Sequence, residues 1–336
     1  MSSLPTSYIP RRKGRALAGL GALALLCALL SLCLGAVPVP PGDILPALLG
    51  RGGDSAVQIV RYARLPRTCA CLLAGSALAV SGAVIQGVLG NPLAAPNIIG
   101  VSSGAGLGAA VCGALAPAMA AAVPAAFAGA LAAVLLVLFI GERTGASRLT
   151  LVLAGVAVSG MFGACTDAVV ALVPDALAGW SDFRTGGLAN LSMARIAPAF
   201  WTILPALALV FALAGEMDVL LLGADTAQSL GLRYKPLRLL LLALAAALAG
   251  AAVSFSGLIG FVGLIVPHIM RRLTGEDSLP LLAGCALGGA ACLTLCDLLS
   301  RLLFAPYELP VGIVLSLAGG PFFLWLLLRQ RGGRAP

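Results

Sequence analysis

The chain has 336 residues, 60% of them hydrophobic and only 10% charged, with a formal net charge of +8. A soluble domain carries about 25% charged residues, so this composition cannot cover a water-facing surface and excludes a large soluble domain. The positive balance does not point to nucleic acid either, because the arginines sit in short gaps between apolar runs, where they orient membrane spans.

A helical span needs roughly 20 apolar residues to cross the hydrocarbon core. Ten spans are predicted, at 16–36, 66–89, 98–116, 121–140, 149–172, 198–215, 237–255, 259–273, 280–297 and 309–328. The fold class is therefore an all-α polytopic membrane protein, one transmembrane domain over 1–336. The first run follows Arg11-Arg12-Lys13-Gly14-Arg15. It is longer than a signal-peptide core and has no small-x-small cleavage site, so it reads as a retained span.

Before the second span, Arg61, Arg64 and Arg67 cluster around Leu65-Pro66. A spacing of three puts Arg64 and Arg67 on one side of a helix. With the N-terminus inside, fourteen Lys and Arg lie inside and seven outside, a bias that supports cytoplasmic termini. The three arginines run against that bias, which points to docking of an acidic partner. Gly100-x3-Gly104-x3-Gly108 and Gly284-x3-Gly288 mark close helix contacts.

Three acids lie in or near spans: Asp167, Asp297 and Glu308. Charge in a membrane faces a cavity or a partner. Asp167, the most interior, either lines a polar pathway or sits at the wet end of a long fifth span. Asp297 and Arg301 have the spacing of an i, i+4 pair. The inner loop at about 216–236 contains Leu222-Gly223-Ala224-Asp225-Thr226-Ala227-Gln228-Ser229-Leu230-Gly231-Leu232. Asp225 and Gln228 have capping-box spacing, and Gly231 can end the helix in the left-handed conformation. A short, half-apolar helix here reads as a docking element.

An internal repeat is expected. Ala74-Gly75, Ser81-Gly82, Pro92 and Gly100 recur as Ala249-Gly250, Ser256-Gly257, Pro267 and Gly275, each pair offset by 175 residues. The copies start on opposite sides, giving an inverted-topology repeat with units at about 66–172 and 237–328, an arrangement that suits alternating access.

The chemistry is as informative in what it lacks. The two lysines, Lys13 and Lys235, do not lie in a phosphate-binding loop, so ATP would have to be bound by another chain. The single histidine, His268, builds no metal site alone. The nine cysteines read as packing residues, because an odd number without framework spacing argues against a disulfide scaffold. No nucleophile–base–acid set supports an enzyme.

Together these residues resemble the permeases of type II ABC importers for iron–siderophores, haem and cobalamin. The resemblance is carried by Arg64-Leu65-Pro66-Arg67, Ala74-Gly75-x5-Ser81-Gly82-x3-Gln86 and Asn91-Pro92-Leu93-Ala94-x-Pro96-x3-Gly100. It continues in Ser256-Gly257-x2-Gly260-Phe261-Val262-Gly263, Pro267-His268-x2-Arg271, Asp297-x3-Arg301 and Glu308-Leu309-Pro310-Val311-Gly312, and so covers nearly the whole chain. It implies a homodimer, or a dimer with a close paralogue, in the inner membrane with the pathway at the subunit interface. Two separate ATPase subunits would dock inside, and a periplasmic or lipoprotein binding protein outside. It assigns Arg64, Arg67 and Arg301 to binding-protein docking and Gly223 to Leu232 to ATPase coupling. Asp167, Arg184, Gly186 and Gly187 become pathway candidates, with no metal ligand and no cofactor on this chain. Phe183-Arg184-Thr185 departs from the apolar stretch of relatives. Ferric siderophores are the first expected ligand, as the commonest class among relatives, with haem and cobalamin as alternatives. An ion-coupled secondary transporter is the competing reading.

Overall fold

A computed structural model describes residues 11–35, 37–51, 53–115, 122–143, 148–173, 180–189, 191–303, 305 and 307–331. In chain order the α-helices are α1 (Arg11–Cys33), α2 (Pro41–Leu48), α3 (Asp54–Val57), α4 (Leu65–Leu89), α5 (Val101–Leu115), α6 (Ala122–Arg143), α7 (Arg148–Leu172), α8 (Trp180–Thr185), α9 (Met193–Ala212), α10 (Ala214–Leu221), α11 (Ala224–Ser229), α12 (Tyr234–Ser256), α13 (Val262–Thr274), α14 (Ser278–Leu302) and α15 (Val311–Arg331). Among the described residues there is no strand. Each of the ten expected spans coincides with one helix, although residues 36, 116 and 121 at span ends lie outside the described set.

Among the described residues, seven helices are long and apolar enough to cross a membrane. α5 and α13 are not, with 15 and 13 residues; at 1.5 Å per residue, 13 residues rise only about 20 Å against a hydrocarbon core of about 30 Å. Irregular backbone leads into both: a 3₁₀ turn at Pro96–Ile99 before α5, and residues 257–261 before α13. Such backbone is tolerated at membrane depth only where protein encloses it, and Ser256, Gly257 and Ile259 are buried. Phe261, just before α13, has φ +66°, rare for a side chain of this size.

Small residues decide which helices form the centre. Gly75 of α4 lies so close to α14 that an added Cβ would come within 2.2 Å of the Gly289 carbonyl oxygen. Gly82 of α4 meets the Gly263 oxygen of α13 at 1.9 Å in the same sense. α5 and α6 approach equally closely at Gly104 and Gly129. These contacts place α4 at the heart of the bundle against α13 and α14, as backbone-to-backbone packing does in lipid, and α12 joins it there, buried from Leu244 to Ser256 except at Ala247.

The element pattern of long helix, irregular turn and shorter helix occurs twice, as α4–α5 and α12–α13. The residue register expected at an offset of 175 is not kept. Ser81-Gly82 lies inside α4, whereas Ser256-Gly257 ends α12; Pro92 lies in a turn, whereas Pro267 lies inside α13. Small residues recur for local packing reasons, so their spacing is a weak guide to register.

Two ends of the bundle are defined by contacts. At the first, Lys13 of α1 pairs with Asp277, and the Ser278 N–H donates to Asp218 of α10 at 2.8 Å. At the second, the C-terminus of α1 meets the start of α4 and the end of α14 through Ser31, Thr68 and Arg301.

Candidate functional site

The second end is organised by three arginines. α1 finishes without a glycine cap, and its last carbonyls need donors. Arg64 supplies them: its Nη1 donates to the Leu32 and Cys33 oxygens at 2.9 and 2.8 Å, and its Nη2 donates to Val37 O. Gly35 leaves room, since a Cβ there would sit 2.9 Å from Arg64 Nη2. Arg301 completes the cap, with Nη2 donating to Ser31 Oγ at 2.7 Å. A cation at a helix C-terminus also complements its dipole.

Arg67 turns the other way. Its Nε donates to both Asp297 oxygens at 2.9 and 3.1 Å, and its Nη1 to Glu308 Oε2 at 2.6 Å. Asp297 is completely buried and also pairs with Arg301 at 3.2 Å, so the expected i, i+4 pair is present and is shared with a third residue. The expectation that Arg64 and Arg67 share an outward side is corrected. Arg64 ends a π-helical stretch, Gln58–Arg64, and that wider turn directs it to α1, whereas Arg67 in α4 reaches α14. Arg64 and Arg301 are only 5% and 3% exposed. Among the described residues, only Arg67 of the three has a charged side-chain partner at the surface, Glu308, with its side chain 35% exposed.

At the first end, α10 and α11 form the expected compact loop. The capping box is not there: Gly223 (φ +103°) is the N-cap and no side chain caps α11. The helix starts two residues earlier than a box on Asp225 requires, leaving Asp225 in the first turn, where a carboxylate still complements the dipole. The C-terminal expectation holds. Gly231 has φ +82°, its N–H donates to Gln228 O, and the Leu232 N–H donates to Ala227 O, both at 2.9 Å. This is the Schellman pairing. Leu221, Leu222 and Leu230 are exposed beside polar Asp225, Thr226, Gln228 and Ser229, while Ala227 anchors the turn in the interior.

Between the ends runs α7, which carries one largely uncovered face. Gly160, Ala164, Asp167 and Ala171 follow helical spacing, and all four are exposed. A Cβ on Gly160 or Gly163 would meet nothing within 4 Å. α8 follows α7 in the chain and is tied to the second half of the bundle by backbone bonds. Leu258 N–H donates to Phe183 O at 2.8 Å, Gly187 N–H to Ser256 O at 3.0 Å, and Gly312 N–H to Gly186 O at 3.1 Å. Gly186 (φ +69°) is buried, and a Cβ on it would come within 2.7 Å of Leu258 O, so it is a packing glycine. Gly187 has open space and Arg184 is exposed. The side chain of Asp182, a sequence-based partner for Arg184, lies outside the described set.

Sequence reasoning missed two links. Ser31 and Thr68 are uncharged, yet their hydroxyls lie 2.8 Å apart and help to seat Arg301. Gln86 accepts from Arg271 Nη1 at 2.6 Å and donates to Gly263 O at 3.1 Å, so two of the recognised motifs brace each other across α4 and α13. His268 lies 3.3 Å from Arg272 and edge-on to Phe322; among the described residues no His, Cys, Asp and Glu cluster could hold a metal ion.

The family model described as the FecCD transport family matches residues 23–329. The chain belongs to that family. It is similar to the hemin transport system permease protein HmuU of Yersinia pestis, 41% identical over 289 residues, which cover 84% of this chain and 86% of the relative. It is also similar to the vitamin B12 import system permease protein BtuC of Citrobacter koseri, 39% identical over 324 residues and covering 96% of each. A solved inward-facing chain of a metal-chelate type ABC transporter superposes with TM-score 0.83 at 29% identity, covering 94% of this chain and 99% of that one. This FecCD member is thus a multi-pass membrane permease of an ABC importer. Its family implies, in general terms, an ATPase and a substrate-binding partner.

Proposed function

We propose that the protein is the inner-membrane permease of an ATP-driven importer for an anionic metal chelate, with haem as the first candidate. The observation that carries this reading is the uncovered face of α7, where Gly160, Ala164 and Ala171 lie beside Asp167 and exposed Leu153, Val156 and Met161, continued in the chain by α8 with its exposed Arg184. A charge on such a face is stable only beside water, a ligand or another protein. A second copy of the chain facing it would enclose a polar pathway between two α7 helices. Haem moves ahead of ferric siderophores because two of the relatives carry hemin and vitamin B12 by name, and Arg184 offers a planar fork suited to carboxylates.

The remaining roles follow from the two ends. With both termini inside, α10 and α11 face the cytoplasm, and their exposed leucines with a polar rim fit an ATPase groove. The second end then faces outward and receives the binding protein, chiefly at Arg67, while Arg64 and Arg301 shape that surface by holding the end of α1. The test is uptake into proteoliposomes containing the permease, its ATPase and its binding protein, using haemin, haemin dimethyl ester, cyanocobalamin and a ferric hydroxamate. ATP-dependent uptake favouring haemin over its ester supports the reading. Uptake driven by an ion gradient without the ATPase would defeat it in favour of the secondary transporter that Asp167 also suits.

A further inference from the structure

Arg67 joins two regions that the docking role alone does not connect. On its buried side it holds Asp297, which is wholly enclosed. On its surface side it holds Glu308, whose backbone is the approach to α15. That approach is short and tied down. The Leu309 N–H donates to Ser300 O at 3.3 Å, and four residues after Glu308 the Gly312 N–H donates to Gly186 O at 3.1 Å. A Cβ on Gly312 would come within 2.1 Å of Thr185 O, so α15 begins in direct backbone contact with the end of α8. The chain Arg67, Glu308, Gly312, Gly186, Arg184 therefore runs from the outer surface to the mouth of the proposed pathway.

We propose that Glu308 is a built-in stand-in for an acidic side chain of the binding protein, and that its displacement from Arg67 is the signal that shifts α8. The inference rests on the docking reading above. Charge, exposure and surface chemistry support it. The cluster of Arg64, Arg67 and Arg301 against Asp297 and Glu308 has an excess positive charge, so it is still complementary to a carboxylate. Glu308 is the only one of the five that is substantially exposed, hence the one an incoming carboxylate can replace without opening the core. Asp297 remains on Arg67 throughout, so the exchange leaves the buried pair intact. Exposed Tyr307, immediately before Glu308, supplies an aromatic surface beside the exchange point, of the kind that anchors interfaces.

The experiment measures docking of the soluble binding protein to permease–ATPase complexes in nanodiscs. Glu308→Gln removes the competitor and keeps the shape; docking should tighten about fivefold, the scale of a partly exposed ion pair. Asp43→Asn, at an exposed acid on the neighbouring α2, makes the same charge change away from Arg67 and should alter docking by less than about twofold, since exposed charges at a distance are screened. Equal gains in both variants would show only a long-range field and overturn the proposal, as would unchanged or weaker docking of Glu308→Gln. Arg67→Gln separates the two levels. If it leaves docking unchanged, the docking reading itself fails; if it weakens docking while Glu308→Gln does not strengthen it, only the stand-in role fails. In the unaltered protein, docking should speed hydrogen exchange at the Leu309 and Gly312 amides, and no change there would sink the signal to α8.

Discussion

α4 and α7 are both 25-residue apolar helices rich in glycine and alanine, yet they do opposite things. α4 is buried along most of its length, and its glycines touch the backbones of α13 and α14. α7 leaves one face open, and a Cβ on Gly160 or Gly163 would meet nothing within 4 Å among the described residues. The difference teaches that a small residue in a span marks a surface meant for close approach without saying whether the approaching surface belongs to the same chain. In α4 that surface is present in the monomer. In α7 it is missing, which is what a pathway or a second copy would require.

Substitutions can break or sharpen this contrast. The largest effect is expected at the committed end of the core, where Asp297→Asn leaves Arg67 and Arg301 without their shared buried carboxylate. Breaking a buried pair costs about 3–5 kcal/mol, so detergent-solubilised protein should lose much of its thermal stability. Gly82→Ala comes next. Its Cβ would lie 1.9 Å from Gly263 O, backbone that cannot swing aside, and overpacking costs about 1–3 kcal/mol; a normal melting temperature would show that α4 and α13 are not locked.

α11 stands between the two cases, exposed like α7 yet turned as firmly as α4. Gly90 ends α4 and Gly231 ends α11 with the same pair of crossed backbone bonds. Gly231→Pro removes the N–H that bonds Gln228 O and forbids positive φ. The folded bundle should persist, while ATP hydrolysis is uncoupled from uptake or the ATPase fails to assemble; wild-type uptake would remove the coupling role.

On the open face the expected effects are smaller and purely functional. Arg184→Leu should lower uptake of an anionic chelate about tenfold, equivalent to about 1.4 kcal/mol, with docking and basal ATP hydrolysis unchanged. Arg184→Lys should recover part of that loss, because it keeps the charge and not the fork. Smallest of all, Gly160→Ala should change the stability of the isolated chain by no more than about 0.5 kcal/mol. A large loss there would mean that α7 is packed after all and would erase the contrast with Gly82→Ala.

Arg64, Arg67 and Arg301 show where reading from residues runs out. Arg64, Arg67 and Arg301 were recognisable as a set, and the Asp297–Arg301 pair was legible because i, i+4 spacing is local. That Arg64 caps α1 was not legible, since it depends on a π-helical turn and on the loop at Gly35, 29 residues earlier. Reversing both Arg64 and Arg67, the natural experiment from sequence, would open the end of α1 as well as any docking surface; single changes at Arg67 and Glu308 keep the two apart.

Hydrophobic run lengths, charge placement and the glycine at position 231 determined the ten helices, the membrane class and the shape of the inner loop, because each depends on neighbours within a few residues. The seating of Arg67 on Asp297 and Glu308, the bracing of Gln86 by Arg271 and the bond from Gly312 to Gly186 were decided only by the tertiary structure. Those contacts join residues more than 120 positions apart, and no local periodicity encodes which distant carbonyl or carboxylate a packed helix will meet.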